Sequence, residues 1–211
     1  MSSNVVRWGG VAGVVAAGMW VLSFILIQLT SLPRVFESFS DYLIEVVLLV
    51  GYAGTMGAIV GLHALQSQSG RYGRLGALGS LLTLIGYAMV FVVTTGSILQ
   101  GGQALLTVRL TGGIAVLLGS ILLGAITLYA RVVPWWCGVL LIVAFPLGDF
   151  SNAIVSGGEG VLLGLLWGSI GYALLRSALN RAQPSDAVPA AAAAVPPRWP
   201  RKQPAQPRAP T

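Results

Sequence analysis

Six apolar runs dominate this sequence, at residues 8–30, 43–66, 75–99, 104–129, 134–153 and 161–179. Each approaches or exceeds the ~20 residues that carry an α-helix across a ~30 Å hydrocarbon layer. Lipid offers no hydrogen bonds to a backbone, so only helices or closed barrels can span it, and these runs are far too long for barrel strands. The expected fold class is therefore all-α, a polytopic bundle of six transmembrane helices over residues 1–182. Composition agrees: 9% of the chain is charged and 55% is apolar. A soluble domain carries roughly 25% charge and could not cover its surface with so little. The first run is too long for the 7–15-residue core of a cleavable signal, and no A-x-A site follows it, so it reads as a retained span.

Charge placement sets the expected orientation. With the N-terminus in the cytoplasm, the inner segments hold Arg7, Arg71, Arg74, Arg131, Arg176, Arg181 and the basic tail. The outer segments then hold only Arg34 and Arg109 among bases, with the acids Glu37, Asp41, Glu45, Asp149 and Glu159. The positive-inside rule selects this arrangement, with both termini cytoplasmic. Trp8, Trp135 and Trp136 follow inner arginines, in the headgroup zone that indole rings favour. Related Gly-rich text ends the even spans (Gly57–Gly61, Gly119–Gly124, Gly168–Gly171), which suggests three tandem hairpins of one orientation. Arginine supplies eleven of the twelve basic residues, which points to a GC-rich bacterial source and a bacterial cytoplasmic membrane. Beyond residue 183, eight of eleven prolines and an alanine run describe a disordered cytoplasmic tail.

Chemistry-bearing residues are few. One cysteine and one histidine exclude an intrachain disulfide and a structural zinc site. No serine-hydrolase, zinc-protease or nucleotide-binding motif occurs, so no catalytic residue, cofactor or metal is expected. Gly148-Asp149 resembles the end of the Gly-x-Gly-Asp motif of intramembrane aspartyl proteases. It lacks the first glycine, and the second intramembrane aspartate that such chemistry needs is missing.

Asp149 is the most informative residue. It lies about fifteen residues beyond Pro134, hence ~22 Å along a helix and short of the outer surface. An acid at that depth implies a function or a partner. Arg109 matches it in depth, Asn152 shares its face, and Glu45 is the deepest of the three acids Glu37, Asp41 and Glu45. Those three stand four apart and would stack on one face of an outer interfacial helix starting near Ser31 and Pro33. Asp149, Arg109, Glu45 and Asn152 form the candidate polar cluster, with an Arg109–Asp149 ion pair as its structural reading. His63 is expected to interact with the dipole at the end of its helix. Glycine pairs Gly9/Gly13, Gly57/Gly61 and Gly164/Gly168 stand at the spacing that lets membrane helices approach closely.

Three strings, Arg7-Trp-Gly-Gly, Gly61-Leu-His-Ala-Leu-Gln66 with Gly70-Arg71, and Tyr129-Ala-Arg-Val-Val-Pro134-Trp-Trp, resemble bacterial, actinobacterial-type multi-pass membrane proteins of domain-of-unknown-function families. The likeness spans roughly residues 7–180. It implies a helical membrane fold and carries over no site residue. The leading expectation is a non-catalytic membrane protein, a scaffold or partner subunit whose partners are the bilayer and another membrane protein or a second copy, with no nucleic acid. The alternative is a small transporter or channel-like binder with an outer-side cavity around Asp149, Arg109 and Glu45.

Orientation is open to a direct check. Single cysteines introduced at residues 70 and 190 should be shielded from an impermeant thiol reagent in intact cells, and those at 38 and 158 labelled. Finding 158 and 190 on one side would remove the sixth span.

Overall fold

A computed structural model describes residues 3–30, 36, 38–70, 72–101 and 105–182. The tail from residue 183, Glu37, and Ser31 and Pro33 of the proposed interfacial helix lie outside the described residues. Six helices follow in order: α1 (Ser3–Thr30), α2 (Phe39–Gln66), α3 (Gly73–Gln100), α4 (Leu106–Ala130), α5 (Trp135–Ile154) and α6 (Glu159–Ala182). The described residues contain no strand, and all six helices are long and apolar enough to cross a membrane.

The helices are apolar all round, and α3 buries mostly its small residues. In α3 the inward stripe is Gly76, Gly79, Ser80, Thr83, Gly86, Tyr87 and Val90, while Leu75, Leu78, Leu81, Ile85 and Val92 point outward. This inverts the soluble pattern. Leucine gains nothing by leaving lipid for protein, whereas small residues let two backbones approach and collect dispersion contacts.

Contacts at the glycines show how close the approach is. A methyl placed on Gly9 of α1 would sit 2.5 Å from the Cα of Gly61 in α2. On Gly13 it would sit 2.9 Å from the Cα of Gly171 in α6. Gly164 and Gly168 likewise face Val21 and Ala17 of α1, so the paired glycines serve packing within the chain. In the second group, Gly86 and Gly119 lock α3 to α4 through Val116 and Thr83. Gly124 and Gly138 join α4 to α5, each Cβ position within 3 Å of the other's carbonyl oxygen.

Each helix packs on its neighbours in sequence, and α6 returns to α1, closing a ring. The most extensive interfaces are α1 with α2, α1 with α6, and α3 with α4. The seams α2/α3 and α5/α6 are lighter. The bundle is thus a tight α6–α1–α2 unit facing a tight α3–α4 unit, with α5 bridging.

Helix ends follow local chemistry. The Ser38 N–H donates to Asp41 Oδ2 at 2.8 Å, so Asp41 caps the start of α2 and is buried. The described helix starts at Phe39, so Asp41 and Glu45 stand one turn apart on it, and Asp41 turns back onto its own N-terminus. Arg131, at φ 52°, ends α4 in the left-handed region, and Pro134 then opens α5. Trp8 and Trp135 are each 70% exposed beside Arg7 and Arg131, as headgroup anchors should be.

The packing generates a paired prediction. Gly61→Ala drives a methyl into the backbone of α1 and should destabilise by about 1–3 kcal/mol. Gly18→Ala meets nothing within 4 Å and should be neutral, or stabilising by up to about 1 kcal/mol through helix propensity. Thermal unfolding in detergent separates the two.

Candidate functional site

Between the two tight units the ring is not filled. A cavity of about 400 Å³ is walled by all six helices. A neighbouring void of about 70 Å³ shares Trp20, Tyr52, Arg109, Asn152 and Glu159 with it.

The cavity exists because α4 and α5 diverge. Gly113 and Leu117 of α4 line the cavity, and Gly124 lies three turns beyond Gly113 on the same helix. At Gly124 the backbones touch Gly138 and Leu141, whereas a methyl on Gly113 would meet nothing within 4 Å. The two positions are eleven residues apart, about 16 Å along the axis. Over that length the contact opens into a wedge, with Arg109–Leu117 on one wall and Ala144–Asn152 on the other.

Aromatic rings line the deep part. Trp20 of α1 is buried, and its indole N–H donates to Thr55 Oγ1 at 3.2 Å. Its ring meets Tyr52 edge-on, with centroids 5.2 Å apart and planes at 81°. Tyr52 continues to Tyr87 at 6.0 Å and Tyr87 to Phe145 at 6.1 Å. Tyr87 is 2% exposed, and its buried hydroxyl has the Trp167 indole beside it, the two rings 6.2 Å apart at 73°.

Charged groups collect at the other end. Arg109 stands in the first turn of α4, its backbone N–H bonded to the Leu105 carbonyl at 3.1 Å. Its guanidinium is within electrostatic reach of Glu45 and Tyr52. Glu159, first residue of α6, lines both voids. Its position depends on small residues: a methyl on Gly148 would lie 3.2 Å from the Glu159 Cβ, and one on Gly160 would lie 2.6 Å from the Trp20 carbonyl oxygen. Asn152 closes the α5–α6 turn by accepting the Gly157 N–H at 2.6 Å.

Of the four residues expected to cluster, Arg109, Glu45 and Asn152 line these voids. The backbone of Asp149 lies on α5 between the lining residues Gly148 and Asn152. Its side chain lies outside the described residues, and with it the Arg109–Asp149 pair. Sequence reasoning missed Glu159, Trp20, Tyr52, Tyr87 and Phe145 as site residues. A signal was present for three of them: Trp20, Tyr52 and Tyr87 sit mid-span, far from the headgroup zones that aromatic anchors prefer.

The opposite, arginine-rich end is sealed by polar bonds. Gln66 of α2, fully buried, donates to Thr127 Oγ1 of α4 at 2.7 Å. His63 Nδ1 lies 2.9 Å from the Tyr72 hydroxyl, which also bonds Ser80 of α3. His63 therefore ties helix ends together through its ring. Burial pushes the Tyr72 hydroxyl above its ordinary pKa, partly offset by the Ser80 bond, and keeps it protonated as a bridge.

No family model, curated protein or solved structure matches this chain, so the geometry itself carries the functional reading.

Because Arg109 acts on Glu45 in a partly desolvated setting, the two should be energetically coupled. A double-mutant cycle with Arg109→Gln and Glu45→Gln should give a coupling on the order of 1 kcal/mol in thermal stability. Strict additivity would mean that water separates the two charges.

Proposed function

We propose that this chain is a multi-pass protein of a bacterial cytoplasmic membrane, both termini cytoplasmic, that binds a small charged molecule in its outer half and moves it across the bilayer. It acts as a transporter or channel-like binder, without catalysis. One observation carries this reading: ionisable and aromatic side chains converge on a void of about 400 Å³ at one end, while hydrogen bonds close the other. Ligand sites of this kind typically enclose roughly 300–1,000 Å³, mostly apolar with a few placed polar groups. Ionisable residues at membrane depth are costly and mark ligand or ion paths.

The expectation of a scaffold or partner subunit rests on the lack of a catalytic signature. An unfilled core holding an arginine and two glutamates favours the binding reading over it. Tight units separated by lighter seams are what rocking motion around a fixed site requires. In that mechanism the α6–α1–α2 unit turns against α3–α4, and the Gln66–Thr127 bond, which joins the two units, breaks as the sealed end opens.

Water access discriminates between the readings. In a Cys137→Ser background, Val90→Cys on the cavity wall should react with a small methanethiosulfonate reagent added from outside. Leu123→Cys, fully buried toward the sealed end, should stay unreactive. If neither position reacts, the void is dry packing and the transport reading fails.

A further inference from the structure

The wedge between α4 and α5 has a consequence for what can enter. Its α4 wall includes Leu110, 59% exposed, and Ile114, 60% exposed, with Gly113 between them. On α5, at the same level, Leu147 and Phe150 are also turned outward. In a membrane-spanning bundle these outward apolar groups face acyl chains. The cavity therefore has a side opening with a greasy rim and a charged interior, at the depth where a lipid headgroup meets its first methylenes.

The interior is electrostatically mixed. One arginine faces two glutamates among the described lining side chains, and four aromatic rings stand in sequence behind them. A guanidinium is suited to a phosphate, which it grips with parallel N–H donors. An ammonium is suited to carboxylates and to the faces of Trp and Tyr rings. A plain anion would meet the two glutamates, and a plain cation would meet Arg109. A ligand carrying both charges matches both ends of the site.

We infer that the cavity takes an amphiphile with a zwitterionic phosphate–amine headgroup, admitted sideways from the bilayer between α4 and α5. The phosphate lies against Arg109, the amine lies toward Glu159, Glu45 and the Trp20–Tyr52 wall, and the acyl chain leaves past Gly113 along Leu110 and Ile114. This rests on the binding-cavity reading above and adds the ligand class and its route.

The test uses the full chain in a mild detergent, with three probes: lyso-phosphatidylethanolamine, lyso-phosphatidylglycerol of the same chain length, and free phosphoethanolamine. Binding is read by thermal shift and by native mass spectrometry. The ethanolamine lysolipid should bind at least fivefold more tightly than the glycerol one, and at least tenfold more tightly than the free headgroup. Gly113→Phe fills the portal from a position where its Cβ meets nothing, so folding is retained. It should weaken the lysolipid at least fivefold and leave the free headgroup unchanged. Arg109→Gln should weaken both phosphate-bearing lysolipids, and Glu159→Gln only the ethanolamine one. Equal binding of the two lysolipids overturns the zwitterionic selection. Tight binding of free phosphoethanolamine with an indifferent Gly113→Phe overturns lateral access, while the cavity reading stands. Binding of none of the three overturns this inference, and thiol labelling at Val90→Cys then reports separately whether the cavity reading survives.

Discussion

The tightest crossings in this bundle depend on backbone-to-backbone approach at small residues. Lipid chains solvate leucine as well as a protein core does, so association of these helices draws on close van der Waals contact instead of apolar burial. The Gly9–Gly61 and Gly13–Gly171 crossings supply it for α1, the Gly86 and Gly119 crossings for α3 and α4. Because the attraction is short-ranged, it acts only where glycines, alanines and hydroxyl residues form an uninterrupted stripe. Where the stripe stops, the helices have no reason to stay together.

That is the physical origin of the cavity. On α4 the stripe that meets α5 is effective at Gly124, against Gly138, and has no counterpart at Gly113. Tyr52, Tyr87, Phe145 and Trp20 occupy the space instead, and rings of that size hold helices apart as well as filling the gap between them. The sealed end shows the opposite choice. There, Gln66 donates to Thr127 and Tyr72 bonds Ser80 near the α2–α3–α4 junction, in a setting where an unmade hydrogen bond is expensive. Gln66 Oε1 is buried without a hydrogen-bond partner among the described residues, so this seal is incompletely satisfied and open to rearrangement.

The number, order and approximate limits of the helices were legible from the apolar runs alone, because length and hydropathy are one-dimensional properties. Arg109, Glu45 and Asn152, singled out by counting depth along a helix, line the two voids. What could not be counted was azimuth. The depth of Tyr52 and Tyr87 could be counted, but not that α2 and α3 turn them toward one another, 6.0 Å apart. Glu159 looked like a loop acid because its role depends on Gly148 and Gly160 letting the start of α6 close on α5 and α1. Asp41 and Glu45 do stand one turn apart on α2, but the bond from the Ser38 N–H to the Asp41 carboxylate, which buries that acid as a cap, was not legible in the spacing. Local hydrogen bonds and distant glycine contacts are both invisible to a helical wheel.

The depth order of the cavity also explains how a lipid-immersed protein tolerates it. Arg109 lies about 5 Å from the start of α4, and Glu45 about 9 Å from the start of α2, by their rise along the axis. Glu159 is the first residue of its helix. Charges at this depth can draw on interfacial water, and their cost stays nearer the few kcal/mol of translocon scales than the 10–17 computed for an isolated arginine at mid-membrane. Tyr52 and Tyr87 lie about 20 Å from the same ends of their helices, where a full charge would be prohibitive and a hydroxyl is not. The cavity therefore grades from charged to aromatic along the membrane normal, parallel to the grading of the bilayer itself. An occupant whose own polarity falls off in that direction can be desolvated group by group against a matching wall. A uniformly polar solute would leave its inner end facing rings.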